Sequence, residues 1–410
     1  MSFSVYTRGA GAAAGADANP IKVMIVDDSV VIRGLFSRWI DEDPELEVVA
    51  TYRNGQLAVD NLERVAPDVV VLDIEMPVMD GLTALPLMLQ KLPHTTIVMA
   101  STLTKRNASV SLKALSLGAT DYVAKPETNS NVSGNDEFRE ELLAKLKGLG
   151  RIPKRRAEKR RSLGMRPMRA ETSAGQQSAS ASSAAARFDP RAALQRAKQR
   201  AETEAPAYRT RGYGSVVPKI LCIGSSTGGP QALLRMLGDA KGQLARVPTV
   251  ITQHMPRTFT TILAEHLQKA IGRPAKEAED GELLRNGTIY VAPGGLHLRV
   301  LSKNGVAVAE LGEDEPINFC RPSVEPMFET VADVYGAAAL AVMLTGMGAD
   351  GAAGVEKLGA AGASIIAQDE LSSVVWGMPG AAARTGMCSE ILSLDQIGPK
   401  CARLLEGALR

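Results

Sequence analysis

Two groups of residues in this 410-residue chain combine types that do chemistry with positions that bring them to one edge of a sheet. In the second half, Ile223 to Pro230 reads IGSSTGGP, between an apolar run and a helix-like segment. Small hydroxyl residues and glycines at such a turn either cradle a phosphate on backbone N–H groups or expose a nucleophilic oxygen. The lysine and spacing of a P-loop are missing, and so is the G-x-G-x-x-G of a dinucleotide site. The nucleophile reading is therefore preferred. It puts Ser225 or Ser226 at a helix N-terminus, with N–H groups beside it for a developing oxyanion. A serine hydroxyl needs a base. His94 lies in the other half, His266 on a helix face and His297 in a strand-like run, whereas His254 in VITQHMP ends the next strand at the same rim. Asp350, in the glycine-rich turn of VMLTGMGADG, adds a carboxylate there, although alone it would read as a helix N-cap. Serine, histidine and aspartate on three strand ends form an acyl-transfer set, recognised by geometry and not by chain order.

The first half carries a different set. Asp27 and Asp28 follow the first apolar run, Asp73 the third and Lys125 the fifth, while Ser101 and Thr102 end the fourth. Crowded carboxylates repel one another unless a divalent cation or a lysine compensates, and an all-oxygen site suits Mg²⁺. Asp73 is then placed to accept a phosphoryl group, with Mg²⁺ and Lys125 neutralising the added charge. Asp27 or Asp28 alone would be a helix cap; the full set on four strand ends is not explained that way.

The elements that must position these residues are legible as alternating periods. From Ile21 to about residue 147, five apolar strand-like runs alternate with helix-like segments, the pattern of a doubly wound, flavodoxin-like parallel sheet. From residue 217 a second doubly wound parallel α/β pattern begins, in which TIYVAP, LHLRVL and VAVAEL read as an antiparallel patch. Residues 148–216 are basic and then low in complexity, and read as a flexible linker; residues 1–19 read as a Gly/Ala-rich leader. A net charge of +2 gives no whole-chain field for nucleic acid, and no apolar run is long enough to cross a membrane. The four scattered cysteines make neither a disulfide framework nor a zinc site, so the expectation is a cytoplasmic protein.

VDDS, LDIEMPVMDG, MAST and DYVAKP resemble the motifs of response-regulator receiver domains over residues 21–147. The resemblance implies Mg²⁺ at Asp27, Asp28 and Asp73 with the Glu75 backbone carbonyl, phosphorylation of Asp73 by a chemotaxis histidine kinase, Ser101 as the hydroxyl that senses it, and Tyr122 as an aromatic switch. IGSSTGGP, TQHMP, VAPGGLHL and LTGMGADG, in that order, are similar to the catalytic domain of chemotaxis protein-glutamate methylesterases, the CheB family, over about 217–410. That resemblance selects Ser226 as nucleophile and implies hydrolysis of glutamate methyl esters and deamidation of glutamines on chemoreceptors, with no metal in the catalytic domain. His254 is then the base and Asp350 its partner. N–H groups near Gly228 and Met347 are expected at the oxyanion, and Thr227 is expected to orient the histidine. The competing reading is a response regulator with a nucleic-acid-binding output domain, for which the basic linker is the one support.

Overall fold

The computed structural model describes residues 19–93, 95–102, 104–125, 138–151 and 208–408. His94, the leader and most of the linker lie outside the described residues. In the first domain, β1 (Ile21–Val26), β2 (Leu46–Tyr52), β3 (Val69–Asp73), β4 (Thr96–Ser101) and β5 (Asp121–Ala124) form one parallel sheet in the order β2-β1-β3-β4-β5. The central strand, VVVLD, is buried at every position, as a strand covered on both faces must be. Helices α1 (Val30–Asp41), α2 (Gly55–Val65), α3 (Gly81–Lys91) and α4 (Lys105–Ser116) return the chain between strands, and α5 covers 138–151. Their starts are set by side chains: Ser29, Asn54, Asp80 and Thr104 each accept a hydrogen bond from a backbone N–H of the first turn.

The second domain is a seven-stranded parallel sheet in the order β14-β13-β12-β6-β7-β9-β8, beside a separate two-stranded sheet. Its strands are β6 (Ile220–Ser225), β7 (Thr249–Gln253), β8 (Ala275–Glu277), β9 (Ile289–Val291), β12 (Ala339–Met343), β13 (Ser364–Gln368) and β14 (Glu390–Leu392). The separate hairpin pairs β10 (His297–Lys303) with β11 (Val306–Gly312). The antiparallel patch expected from three runs is thus a hairpin of two. TIYVAP supplies β9, which pairs in parallel with β7 and β8 and is fully buried; three consecutive buried apolar residues carry no alternation to reveal their sheet. The helices are α6 (Gly229–Ala240), α7 (Arg257–Ile271), α8 (Val324–Tyr335), α9 (Ala352–Ala360), α10 (Met378–Arg384) and α11 (Leu394–Glu406).

Two edges differ from the sequence reading. Helix α5 runs through residue 151, past 147. Residues 208–214 lie on the second domain: Arg211 donates to the carbonyls of Met387 and Ala363, Gly214 N donates to Ser364 Oγ, and Tyr208 packs edge-on against Trp376. No helix among the described residues is long and apolar enough to cross a membrane.

Candidate active site

From β6 the chain builds toward β7 on one side and later returns through β12 on the other, so the crevice at the carboxyl ends of β6, β7 and β12 is the topological switch point. All three residues of the expected acyl-transfer set stand on its rim. Ser225, the last residue of β6, is buried, and its hydroxyl is spent on Gln253 Oε1 at 2.7 Å. Ser226 is the first residue past the strand and is half-buried; its hydroxyl makes no hydrogen bond among the described residues. Glycine is needed here in two adjoining loops. Gly228 has φ +75. A Cβ on Gly346, in the neighbouring loop, would come within 3.0 Å of Ser226 Cβ.

His254 follows β7. Its Nε2 lies 2.7 Å from Asp350 Oδ2, and its Nδ1 lies 3.4 Å from Cys320 Sγ. With Nε2–H donating to the carboxylate, the neutral ring keeps Nδ1 as its acceptor. Burial alone would push His254 down, but the hydrogen bond to Asp350 and then the Cys320 sulfur outweigh it and hold the imidazole up at about 9.

Asp350 is 2 % exposed. It does not cap the helix that follows it, where Gly351 occupies the cap position. It finishes the start of a different helix, α8: Ser323 Oγ donates to Oδ1 at 2.6 Å and Val324 N to Oδ2 at 2.7 Å, while Asn318 Nδ2 donates to Oδ1 at 3.1 Å. Although burial opposes the charge, His254 and these donors hold Asp350 below the usual carboxylate range. Glu325, on α8, returns the service by accepting from Gly351 N at 2.9 Å and Ala353 N at 3.2 Å at the start of α9.

Sequence reasoning missed four members of this site. Gln253 ties the two loops together: its Oε1 accepts from Ser225, and its Nε2 donates to the carbonyls of Ser226 at 2.9 Å and His254 at 3.3 Å. Its signal was adjacency to His254 on a strand end. Asn318, Cys320 and Ser323 come from an irregular segment with no periodicity to mark it. His297, buried behind Ser323, accepts from Ser323 N at Nδ1 (3.1 Å) and faces Glu315 O at Nε2 (3.2 Å), a supporting role. The Thr227 carbonyl accepts from Thr345 Oγ1, and among the described residues the His254 ring nitrogens meet Asp350 and Cys320, not the Thr227 hydroxyl. Met347 N and Gly228 N donate to no protein acceptor among the described residues.

At the first domain's strand ends, carboxylate oxygens of Asp27, Asp28 and Asp73 lie within 4.8 Å of one another. Lys125 Nζ is 2.6 Å from both Asp27 Oδ2 and Asp73 Oδ1. Burial pushes Asp73 up to about 6 against the opposing pull of Lys125. This hard-oxygen set beside a lysine fits Mg²⁺. The Glu75 side chain is exposed. Ser101 is buried and accepts a hydrogen bond from Ser111 Oγ at 3.0 Å.

The expected switch residue, Tyr122, is buried against the other domain. Its ring stacks on Phe259 of α7, with centroids 4.3 Å apart and planes 8° from parallel. Beside it, Gln231 of α6 donates to Leu115 O and, at 2.7 Å, to Ala119 O. Val374 and Val375 pack on the first domain's core, and a Cβ on Gly148 would sit 3.8 Å from Met347 Sδ. The α4–β5–α5 face thus lies over segments that flank Ser226, His254 and Met347.

A domain with an aspartate pocket, docked by its α4–β5–α5 face beside a serine–histidine–aspartate rim, defines a class: a hydrolase-type domain under a receiver. Residues 23–133 match the response regulator receiver domain and residues 221–401 match CheB methylesterase. A protein-glutamate methylesterase/protein-glutamine glutaminase of Rhodopseudomonas palustris (strain BisB5) is 48% identical over 405 residues, 99% of each chain. One of Bradyrhizobium diazoefficiens is 50% identical over 400 residues, 95% of this chain and 96% of that one. The crystal structure of the Thermotoga maritima CheB methylesterase catalytic domain, 39% identical, covers 46% of this chain and 100% of that chain, with a TM-score of 0.44. The chain belongs to the CheB family of receiver-linked methylesterases. A nucleic-acid-binding output domain is not favoured.

Proposed function

We propose that the chain hydrolyses glutamate methyl esters, and deamidates glutamines, on methyl-accepting chemoreceptors by acyl-enzyme chemistry at Ser226. The observation that carries the reading is the 2.7 Å His254–Asp350 pair, clamped by Gln253 to the serine turn. Ser226 Oγ attacks the γ-carbonyl as Nδ1 of His254 takes its proton. The imidazolium passes that proton to the departing methanol, or to ammonia from glutamine. Water then attacks the acyl-enzyme, giving its proton to Nδ1, and frees glutamate and Ser226. Asp350 keeps the ring in the tautomer that leaves Nδ1 as acceptor and stabilises the imidazolium. Gly228 N and Met347 N, which have no protein acceptor among the described residues, face the developing oxyanion. Cys320 Sγ occupies the neighbourhood of Nδ1, so the ring exchanges sulfur for serine as the reaction begins.

This assignment has a pH signature. The base works only when His254 is neutral, so kcat/KM is expected to rise with pH up to about 9. Replacing Cys320 with alanine removes a group that holds the proton on the ring, so the rising limb should move to lower pH. A limb that stayed in place in Cys320→Ala would show that the sulfur does not hold the proton on His254.

The catalytic domain is read as residues 217–410 and the receiver as 20–147, with phosphorylation of Asp73 by a histidine kinase as the control. Asp27, Asp28, Asp73 and the Glu75 carbonyl would hold Mg²⁺, which when bound neutralises charge on the incoming phosphoryl group. Lys125, already within 2.6 Å of Asp73, pairs with the added charge, and Ser101 turns from Ser111 toward it. The docked α4–β5–α5 face restrains the esterase, and phosphorylation shifts the docking equilibrium. Gln231→Glu sets a carboxylate against the carbonyls of Leu115 and Ala119 in place of a donor. It is expected to raise methanol release without phosphodonor on the order of tenfold, the scale of losing part-buried hydrogen bonds at an interface. Release no faster than the parent's would count against restraint by docking.

A further inference from the structure

The segment ahead of α8 crosses the His254–Asp350 pair as a tight turn. Ile317 and Cys320 exchange both backbone hydrogen bonds, at 3.1 and 2.9 Å. The two residues between them, Asn318 and Phe319, have φ +52 and φ +62. Positive φ at both central positions is the signature of a type I′ turn, which takes asparagine readily at the first position and favours glycine at the second. Here the second position holds phenylalanine, in a conformation that L residues with a large side chain rarely adopt. The ring is 100% exposed, so no packing among the described residues offsets that strain.

A single bare aromatic on a surface needs no explanation by itself. The position of this one does. Asn318 Nδ2 is bonded to Asp350 Oδ1 and Cys320 Sγ lies against His254 Nδ1, so the residues on both sides of Phe319 are held on the two groups that handle the proton. Strained backbone persists where its surroundings over-determine it, and it concentrates at functional sites. The ring also stays bare while the receiver covers the rim near Met347, so a substrate meets it before the domains part.

We propose that Phe319 is an anchor for the protein substrate: its ring takes up an apolar side chain beside the methyl-esterified glutamate and so helps select which glutamates reach Ser226. An aromatic ring offers large contact area at the expense of only two rotatable bonds, which suits a residue that must hold a partner from an exposed turn. The proposal rests on the Ser226–His254–Asp350 reading, and its test separates the two. In the full chain, activated by a small-molecule phosphodonor, kcat/KM is measured for methylated receptor and for a small N-acylated glutamate methyl ester that has no neighbouring side chains. Phe319→Gly removes the ring and supplies the residue this turn favours; Phe319→Asn does the same with a second residue that tolerates the conformation. For both, the ratio of receptor to small-ester kcat/KM is expected to fall roughly tenfold, chiefly through KM, while Phe319→Trp keeps it near the parental value. An unchanged ratio in the glycine and asparagine variants overturns the proposal, and so does an equal loss on both substrates, which would make the turn a support for the histidine. Failure of the catalytic reading would appear elsewhere, as full activity of Ser226→Ala on both esters.

Discussion

Ser226→Ala is expected to lower methanol release from methylated receptor by about 10⁴-fold or more, because it removes the hydroxyl that forms the acyl-enzyme. Its neighbour gives the contrast. Ser225 is buried in β6 with its hydroxyl on Gln253 Oε1, so Ser225→Ala strands an acceptor inside the domain. That costs about 1–3 kcal/mol of stability and lowers the melting temperature before it touches chemistry. Single-turnover methanol assays beside thermal melts distinguish the two serines. A Ser226→Ala protein with parental turnover, or a Ser225→Ala protein that is fully folded and inert, would reverse the assignment.

Asp350→Asn is expected to cost about 10⁴-fold in kcat, since an amide can offer its N–H to the ring and stabilise the wrong tautomer. The loss should come with a second symptom. Asp350 accepts from His254, Ser323, Val324 and Asn318, and an amide has one oxygen where the carboxylate has two. The variant therefore weakens the start of α8 as well. Without the carboxylate holding the proton on His254, the residual activity should rise at lower pH than in the parent. A residual pH limb still near 9 would show that Asp350 does not set the histidine's affinity for its proton.

Much of this was legible in the sequence because function in open parallel sheets collects at strand ends, and strand ends are where apolar runs stop. Asp27, Asp73, His254 and Asp350 could each be placed by that rule. Choosing Ser226 over Ser225 needed family resemblance, since spacing leaves both on the turn; in the fold the two differ physically, Ser225 being buried with its hydroxyl engaged and Ser226 half-buried. Asn318, Cys320 and Ser323 were illegible for a different reason. They reach the site through a turn with left-handed residues that no period announces, and their partners lie 27 to 66 positions away in the chain. β8 and β14 are three-residue strands, AKE and EIL, too short to stand out from a loop. The stacking of Tyr122 on Phe259 joins two domains, and local pattern carries no information about which surfaces meet.

The exchange of carboxylates between α8 and α9 bears on how the enzyme comes into being. Asp350 finishes the start of α8, and Glu325 of α8 finishes the start of α9. During synthesis, α8 emerges before the residue that will hold its first turn, and Glu325 waits for backbone that has not yet left the ribosome. Each helix start is completed only with the other helix in place, and Asp350, which stands at that joint, is also the partner of His254. A chain that ends before residue 350 therefore contains Ser226 and His254 but lacks the carboxylate on which both His254 and the start of α8 depend.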